Sequence, residues 1–184
     1  LTDAIQQVPD GGVYYYIRAN IAASHFHYKT AIDDLNHILQ AQLYNYAGIY
    51  ASLAGCHYAL CEFDKALDNI EYAIANYPDD NKHKDYYVLR SKIYRAMHEY
   101  DKALSSVDAA IAKDPQLNEA LTEKALVLAT MDKPAEATAL LGEVSINEPD
   151  SPYPYMLRAW IMNDFLNQPT GASGCYERLT DNVT

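Results

Sequence analysis

Residues 62–80 read EFDKALDNIEYAIANYPDD, and residues 99–117 read EYDKALSSVDAAIAKDPQL. The two stretches share Glu, Asp-Lys-Ala-Leu, Ala-Ile-Ala and a proline at the same offsets, while the residues between them differ. Positions that are kept while their neighbours change are those at which the structure constrains the side chain. The shared template therefore predicts a repeated structural unit.

The alanine of the Asp-Lys-Ala-Leu motif sets the period of the repeat. Its counterparts recur at intervals of 35, 37, 34 and 35 residues: Ala31, Ala66, Ala103, Ala137 and Ala172. Apolar or aromatic residues follow each anchor alanine by four and by seven positions, which places them on one face of a helix. A proline follows three of the anchors by twelve positions, and it ends the helix because it has no N–H to donate.

A second amphipathic stretch precedes each anchor, so each repeat is predicted to be a pair of antiparallel helices. Twelve positions before the anchor the residue is small in four copies: Ala19, Ala54, Ser91 and Ala125. In the fifth copy that position holds Trp160, with Ala159 one residue earlier. We therefore expect one extra residue in the turn between the two helices of the fifth copy.

This pattern resembles the tetratricopeptide repeat (TPR) family. Its marks are a period near 34 residues, an aromatic-rich first helix with a small residue in its middle, an alanine-anchored second helix and a terminal proline. These marks are carried by Tyr15, Ala19, Ala31, Tyr50, Ala54, Ala66, Ala73, Pro78, Tyr87, Ser91, Tyr94, Ala103, Ala110, Pro115, Ala125, Ala137 and Pro149. The resemblance implies an all-α fold, a right-handed α-solenoid of stacked antiparallel helix pairs.

We take residues 1–184 as a single array. Its predicted parts are the tail of a preceding repeat (1–10), four repeats (12–45, 46–81, 84–117 and 118–151) and a fifth, degenerate or capping repeat (152–184). The first part rests on spacing, since five residues separate Ala4 from Pro9, as they separate Ala73 from Pro78. We therefore expect this chain to be a piece of a longer array that opens with a cut half-repeat.

Charge and residue content exclude several classes of function. With 25 acidic and 14 basic residues the formal net charge is -11, so a nucleic-acid partner is not expected. No stretch approaches the roughly 18 consecutive apolar residues of a membrane span. Cys56, Cys61 and Cys175 match no disulfide framework or zinc pattern, and His25 and His27 do not share a helical face.

Motifs for catalysis are also missing from the sequence. It contains no Gly-rich phosphate loop, no nucleophile elbow and no paired His-Glu helix motif. We therefore predict that the chain is not an enzyme and uses neither a cofactor nor a metal ion.

In TPR solenoids the first helices of the repeats line a concave surface, and the resemblance makes this surface the default ligand site. The positions concerned lie 18, 15, 11 and 8 residues before each anchor alanine. We call the following residues the candidate surface: Tyr16, Asn20, Gly48, Ala51, Gly55, Tyr58, Asp85, Val88, Lys92, Arg95, Glu119, Thr122 and Leu126.

Some TPR domains hold the acidic C-terminal tails of heat-shock chaperones with a clamp of Lys, Asn and Arg. Asn20 fits one position of that clamp, but Tyr16 stands at the lysine position beside it. Asp85 and Leu89 stand at the two basic positions of the third copy. Acidic chaperone tails are therefore not predicted as ligands, and a neutral or basic segment of a protein is.

Small residues in the second copy allow two interpretations. Gly48, Ala51 and Gly55 form a stripe that is flanked by Tyr16 and Tyr58. In one interpretation an extended peptide lies against the stripe and is held by the tyrosines. In the other, the small residues only let helices pack closely, at a cost in helix propensity of about 1 kcal/mol per glycine. The sequence leaves both open.

Basic residues recur one position before the small residue of the first helix: Arg18, Arg90, Lys124 and Arg158. They form either a cationic ladder along a groove or ion pairs between helices. We favour ion pairs, with Asp34 as the partner of Arg18, because a partly buried guanidinium requires a partner.

The sequence thus predicts a non-enzymatic protein–protein interaction module that binds a peptide or protein segment in a concave groove. One alternative is a regulatory or docking part of a larger enzyme or assembly that lies outside this chain. Another is a homo-oligomer formed through the atypical fifth repeat, which contains NQPTGASGCYERLTDN at residues 167–182. The sequence specifies neither the partner nor the compartment.

Overall fold

The computed structural model describes residues 11–78 and 81–166. Every regular element within those two ranges is an α-helix, which confirms the predicted all-α fold. The helices are α1 (Gly12–Ser24), α2 (Tyr28–Gln40), α3 (Ala47–Ala59), α4 (Phe63–Asn76), α5 (His83–Ala96), α6 (Tyr100–Lys113), α7 (Asn118–Thr130), α8 (Pro134–Asn147) and α9 (Pro152–Asp164). Among these helices, none combines the length and the apolar character that a membrane crossing requires.

The chain divides into two compact units, residues 1–93 and residues 94–184. In the first unit α1 packs on α2, α2 on α3 and α3 on α4. In the second unit α6 packs on α7, α7 on α8 and α8 on α9. Because short connections join these consecutive helices, neighbours run antiparallel and each unit is a stack of helical hairpins. A helical repeat fold is therefore confirmed within each unit.

The alanines that set the period lie in the core. Four anchor alanines have 0% exposure: Ala31, Ala66, Ala103 and Ala137. The small residues of the first helices have at most 1% exposure: Ala19, Ala54, Ser91 and Ala125. The larger residues four positions after each anchor are also buried: Leu35, Ile70, Val107 and Leu141. Small side chains thus allow close approach of the helices, and larger ones fill the space beside them. Ala172, the fifth anchor, lies outside the described residues.

The fifth copy uses Ala159, and not Trp160, as its small residue. Ala159 has 0% exposure, whereas Trp160 is 41% exposed. This agrees with the one-residue offset that the sequence indicates. The second helix predicted for this copy lies outside the described residues, so the extra turn residue stays a prediction.

The turns between the two helices of a pair close in one common way. The residue in each turn with a left-handed backbone has φ between 59° and 62°: Phe26, Cys61, His98 and Asp132. The next residue donates its N–H to the carbonyl oxygen five residues earlier, over 2.8 to 2.9 Å. This is the Schellman closure, in which glycine is the usual occupant of the left-handed position. Each of these turns instead places an L side chain there.

Candidate functional site

The first unit presents much of the candidate surface on α1 and α3. On α1, Tyr16 is half-buried and Asn20 is exposed. On α3, four candidate residues are half-buried: Gly48, Ala51, Gly55 and Tyr58. Buried Ala19 and Ala54 fix the rotation of these two helices against the core, and the candidate residues therefore lie beside the core rather than inside it.

The Tyr16 phenol lies in a polar part of the first unit, near Tyr46, Ser52 and Asn20. Burial by itself would raise the pKa of this phenol. Hydrogen bonding with these three side chains and the nearby Lys82 ammonium outweigh burial and lower that pKa below its ordinary value. The surroundings of Tyr16 therefore stabilise negative charge on its hydroxyl oxygen.

Tyr46, which sequence reasoning did not single out, packs against Tyr16. Burial first, and the hydrogen bond with Tyr16 second, raise the pKa of the Tyr46 phenol. The Tyr16 and Tyr46 rings meet edge to face with their centroids 5.6 Å apart, a favourable arrangement for two aromatic rings. Tyr46 directly precedes α3, so it anchors the start of that helix against α1.

Gly48 and Gly55 have different surroundings. A Cβ atom added to Gly48 would lie 2.6 Å from Cε2 of Tyr46, so the absence of a side chain there makes room for that ring. A Cβ atom added to Gly55 would meet no heavy atom of the described part of the chain within 4 Å. Close packing thus explains Gly48, whereas the surface at Gly55 is open. The close-packing interpretation therefore holds for Gly48, and the peptide-binding interpretation stays a prediction for Gly55.

The α5 residues of the candidate surface in the first unit differ in exposure. Asp85 is exposed and Lys92 is half-buried. Val88 has only 1% exposure and lies in the core, so it offers almost no surface to a ligand. Position relative to the anchor therefore does not by itself decide whether a side chain is accessible.

In the second unit, Arg95 is held by the carboxylate of Glu123. The Arg95 Nε atom donates to Glu123 Oε1 over 2.8 Å, and its terminal nitrogen donates to Oε2 over 3.2 Å. The Glu123 side chain is only 2% exposed, so this two-point pair satisfies a buried charge. Arg95 in α5 therefore has a structural role as the ion-pair partner of Glu123.

The other candidate residues of the second unit lie on α7. Glu119 is exposed, Leu126 is half-buried and Thr122 has 9% exposure. Of the three, Glu119 and Leu126 are accessible to a ligand. They place an acidic and an apolar side chain on that helix.

Arg18 and Lys124, two of the four recurring basic residues of the first helices, make ion pairs. Arg18 donates to both carboxylate oxygens of Asp34, with 2.7 Å from Nε to Oδ2, which confirms the predicted pair. Hydrogen bonding to Asp34 raises the pKa of the Arg18 guanidinium above its ordinary value. In the second unit, Lys124 lies 2.8 Å from Asp108. These contacts support structural ion pairs over a ligand-binding ladder at these positions.

Sequence reasoning did not place any residue of the fifth copy on the candidate surface, yet α9 carries a set of large exposed side chains. Tyr153, Met156 and Trp160 are 53%, 52% and 41% exposed, and Phe165 just beyond the helix is 41% exposed. The signal was present in the sequence. Once Ala159 is taken as the small residue, Trp160 falls at the position that Asn20 and Gly55 occupy in their copies.

The histidines and cysteines of the described residues do not form a candidate metal centre. Within residues 11–78 and 81–166, no group of three or more His, Cys, Asp or Glu side chains is placed to hold a metal ion. The ring of His25, the residue that directly follows α1, hydrogen-bonds to the carbonyl oxygen of Ile21 in that helix. Burial raises the pKa of the Cys56 thiol, and Cys61 is an exposed free thiol.

No family model matches the chain, and no curated protein sequence matches it either. Solved structures do match. A tetratricopeptide repeat protein from Parabacteroides merdae has a TM-score of 0.82 at 16% identity, over 98% of this chain and 70% of that one. TTC0263, a thermophilic TPR protein from Thermus thermophilus, has a TM-score of 0.78 at 18% identity, over 93% of this chain and 91% of that one.

A third similar structure is YrrB, described as a TPR protein with an unusual peptide-binding site. Its TM-score is 0.65 at 16% identity, over 98% of this chain and 91% of that one. At such identities a structural likeness establishes the fold and not the ligand. The resemblance to the TPR fold that the sequence indicates is therefore confirmed.

Proposed function

We propose that this chain is a non-enzymatic protein–protein interaction module, a TPR-type scaffold that binds a peptide or protein segment along the first helices of its repeats. The fold supports an interaction role, because stacked helix pairs present extended surfaces formed by successive helices. A similar structure, YrrB, carries a peptide-binding site, which makes a peptide ligand a reasonable class for the fold.

The open surface at Gly55 carries this proposal. A helix-interior glycine costs about 1 kcal/mol relative to alanine, and no neighbouring atom in the structure requires Gly55. A bound segment that approaches the α3 backbone closely would explain why a side chain is missing there. Tyr58, three residues further on, is half-buried and offers both a ring and a hydroxyl to such a segment.

Binding on this surface would require little rearrangement of the protein. The Tyr16 ring already packs edge to face on the Tyr46 ring, and α1 and α3 are fixed by buried alanines. A preordered surface limits the conformational entropy that is lost on binding. Because the formal net charge is -11 and Asp85 is exposed, the segment is expected to be neutral or basic.

A pull-down with three matched variants tests this proposal. Gly55→Leu fills the open surface and Tyr58→Ala removes the ring beside it. Thr30→Leu adds the same leucine at an exposed position of α2, outside the candidate surface. Proteins that are captured by the wild type and by Thr30→Leu should be lost with Gly55→Leu and reduced with Tyr58→Ala.

Circular dichroism at 222 nm should show that all three variants keep the helical content of the wild type. Identical capture by Gly55→Leu and Thr30→Leu would show that the α3 surface does not bind a partner, and the proposal would then fail.

A further inference from the structure

One face of α9 carries the largest group of exposed aromatic and sulfur-containing side chains in the described part of the second unit. Tyr153, Met156 and Trp160 follow one another at spacings of three and four, so they lie on one helix face. The Phe165 ring meets the Trp160 ring edge to face with the centroids 5.3 Å apart. We call these four residues the Trp160 patch.

The packing of α9 on α8 fixes the orientation of the Trp160 patch. Tyr155 and Ile161 are 6% and 0% exposed, and the Tyr155 hydroxyl donates to the carbonyl oxygen of Ser145 over 3.2 Å. Ala159 is fully buried between them. With these three residues turned inward, the opposite face of α9 is turned to solvent.

The Trp160 patch occupies the same repeat positions as the candidate surface. Tyr153 and Met156 lie six and three residues before the buried Ala159, and Trp160 lies one residue after it. The same three offsets from Ala54 in the second copy give Gly48, Ala51 and Gly55. The patch therefore continues the proposed ligand-binding positions into the fifth copy, and an inference about its ligand rests on the proposed function.

The size of the patch fits a short segment better than a second copy of the chain. Large side chains of about 200 Å² each, exposed to about one half, give an apolar area of about 400 Å². A stable dimer buries about 600–1,000 Å² on each partner. Trp, Tyr, Phe and Met are the residues enriched at binding hot spots. A few well-packed anchors from a short segment would fill such an area.

Charge restricts the chemistry of that segment. Residues 94–184 contain 14 acidic and seven basic residues, whereas α9 contains only Arg158 and Asp164 as charged groups. An apolar patch within an acidic unit favours a ligand with an apolar face and basic flanks. We infer that the Trp160 patch binds a short, basic, amphipathic segment of a partner protein, with its apolar side chains against Trp160 and Met156.

The single tryptophan of the chain makes this inference directly measurable. The probe is a synthetic 12-residue peptide, KLLKKLLKLLKK, acetylated and amidated at its ends. Two control peptides have the same length: a scrambled sequence without an apolar face, and a version with Glu in place of Lys. Titration of the full chain with the first peptide should shift Trp160 emission to shorter wavelength, because the ring loses contact with water.

The variants Met156→Ser and Tyr153→Ser keep the tryptophan and should each weaken binding of the peptide at least tenfold. Ile146→Ser is the matched control, since Ile146 is 80% exposed but lies on α8 outside the patch, and it should change the affinity less than twofold. Equal binding of the scrambled or the Glu peptide, or an unchanged affinity with Met156→Ser, would overturn the inference.

Three further outcomes test this inference and separate it from the proposed function. Sedimentation that shows a dimer in the wild type and a monomer with Met156→Ser would assign the patch to a second copy, and the inference would fail. Loss of partner capture with Gly55→Leu, together with no emission change at Trp160, would support the proposed function and overturn only the inference. An emission change that Gly55→Leu leaves intact would support the inference on its own.

Discussion

Replacement of Arg95 by alanine should destabilise the protein strongly, because it leaves the Glu123 carboxylate buried without its charge partner. The Glu123 side chain is 2% exposed and the Arg95 side chain is 26% exposed. Breaking a buried ion pair costs about 3–5 kcal/mol. Solvent reaches the arginine side of this pair and can partly hydrate the exposed carboxylate, so we expect a loss near the lower end, about 3 kcal/mol.

The hydrogen bonds give an independent check on that magnitude. Arg95 makes two of them to the carboxylate, and each hydrogen bond to a charged group contributes about 1.5–3 kcal/mol. For a protein of this size, 3 kcal/mol corresponds to a fall of roughly 6–12 °C in the melting temperature. The double variant Arg95→Met/Glu123→Leu should recover most of the loss, because no unpaired charge stays in the core.

Equilibrium unfolding in urea, followed by circular dichroism at 222 nm, measures these differences. Lys102→Ala is the control, since it removes a cation from an exposed pair with Glu99, which should cost less than about 1 kcal/mol. If Arg95→Ala is no more destabilising than Lys102→Ala, or if the double variant is as unstable as the single one, the structural role assigned to Arg95 is wrong.

Three further predictions concern single side chains. Gly55→Ala should raise the free energy of unfolding by about 1 kcal/mol through helix propensity. Gly48→Ala should lower it, because the added Cβ displaces the Tyr46 ring. Thermal melts should therefore show a higher melting temperature for Gly55→Ala and a lower one for Gly48→Ala. Ser91→Ala should raise the free energy of unfolding by about 1 kcal/mol in urea titrations, since the buried Ser91 hydroxyl has no hydrogen-bond partner among the described residues. A lower free energy of unfolding would contradict this. Hydrogen bonds from His57, and next from Lys65, lower the pKa of the Glu62 carboxyl. The stability that Glu62 contributes is therefore complete above the unfolded pKa of about 4.3 and is lost as the pH falls through the lower folded pKa. Glu62→Gln should flatten the acid limb of a stability–pH curve, and an unchanged curve would count against it.

The helical fold was predictable because it depends on residues that recur along the chain at a nearly constant spacing. Burial of Ala66 and Ala103 follows from a period that the sequence displays directly, and each repeat has to bury the same apolar face. The Arg18–Asp34 pair was predictable for a related reason, since both residues lie at fixed distances from one anchor alanine.

The accessibility of individual surface residues was less predictable, because it depends on neighbours that do not follow the period. Gly48 and Gly55 look alike in sequence, yet the Tyr46 ring covers only Gly48, and Tyr46 lies just outside the helix. Val88 has the right position for a ligand contact but is covered in the core. Trp160 was not placed on the candidate surface, although the one-residue offset that brings it to a ligand position was visible in the sequence.

The four closed turns have a consequence for engineering. Phe26, Cys61, His98 and Asp132 each hold an L side chain in a left-handed conformation, which costs about 1–2 kcal/mol per residue relative to an unstrained backbone. Glycine at these sites would remove the strain, although its greater loss of conformational entropy on folding costs about 0.5–1 kcal/mol of stability. Cys61→Gly should thus raise the melting temperature while Cys61→Ala should not. None of the four belongs to the candidate surface, so turn substitutions that make this scaffold more stable would leave that surface free to display grafted ligand-binding residues.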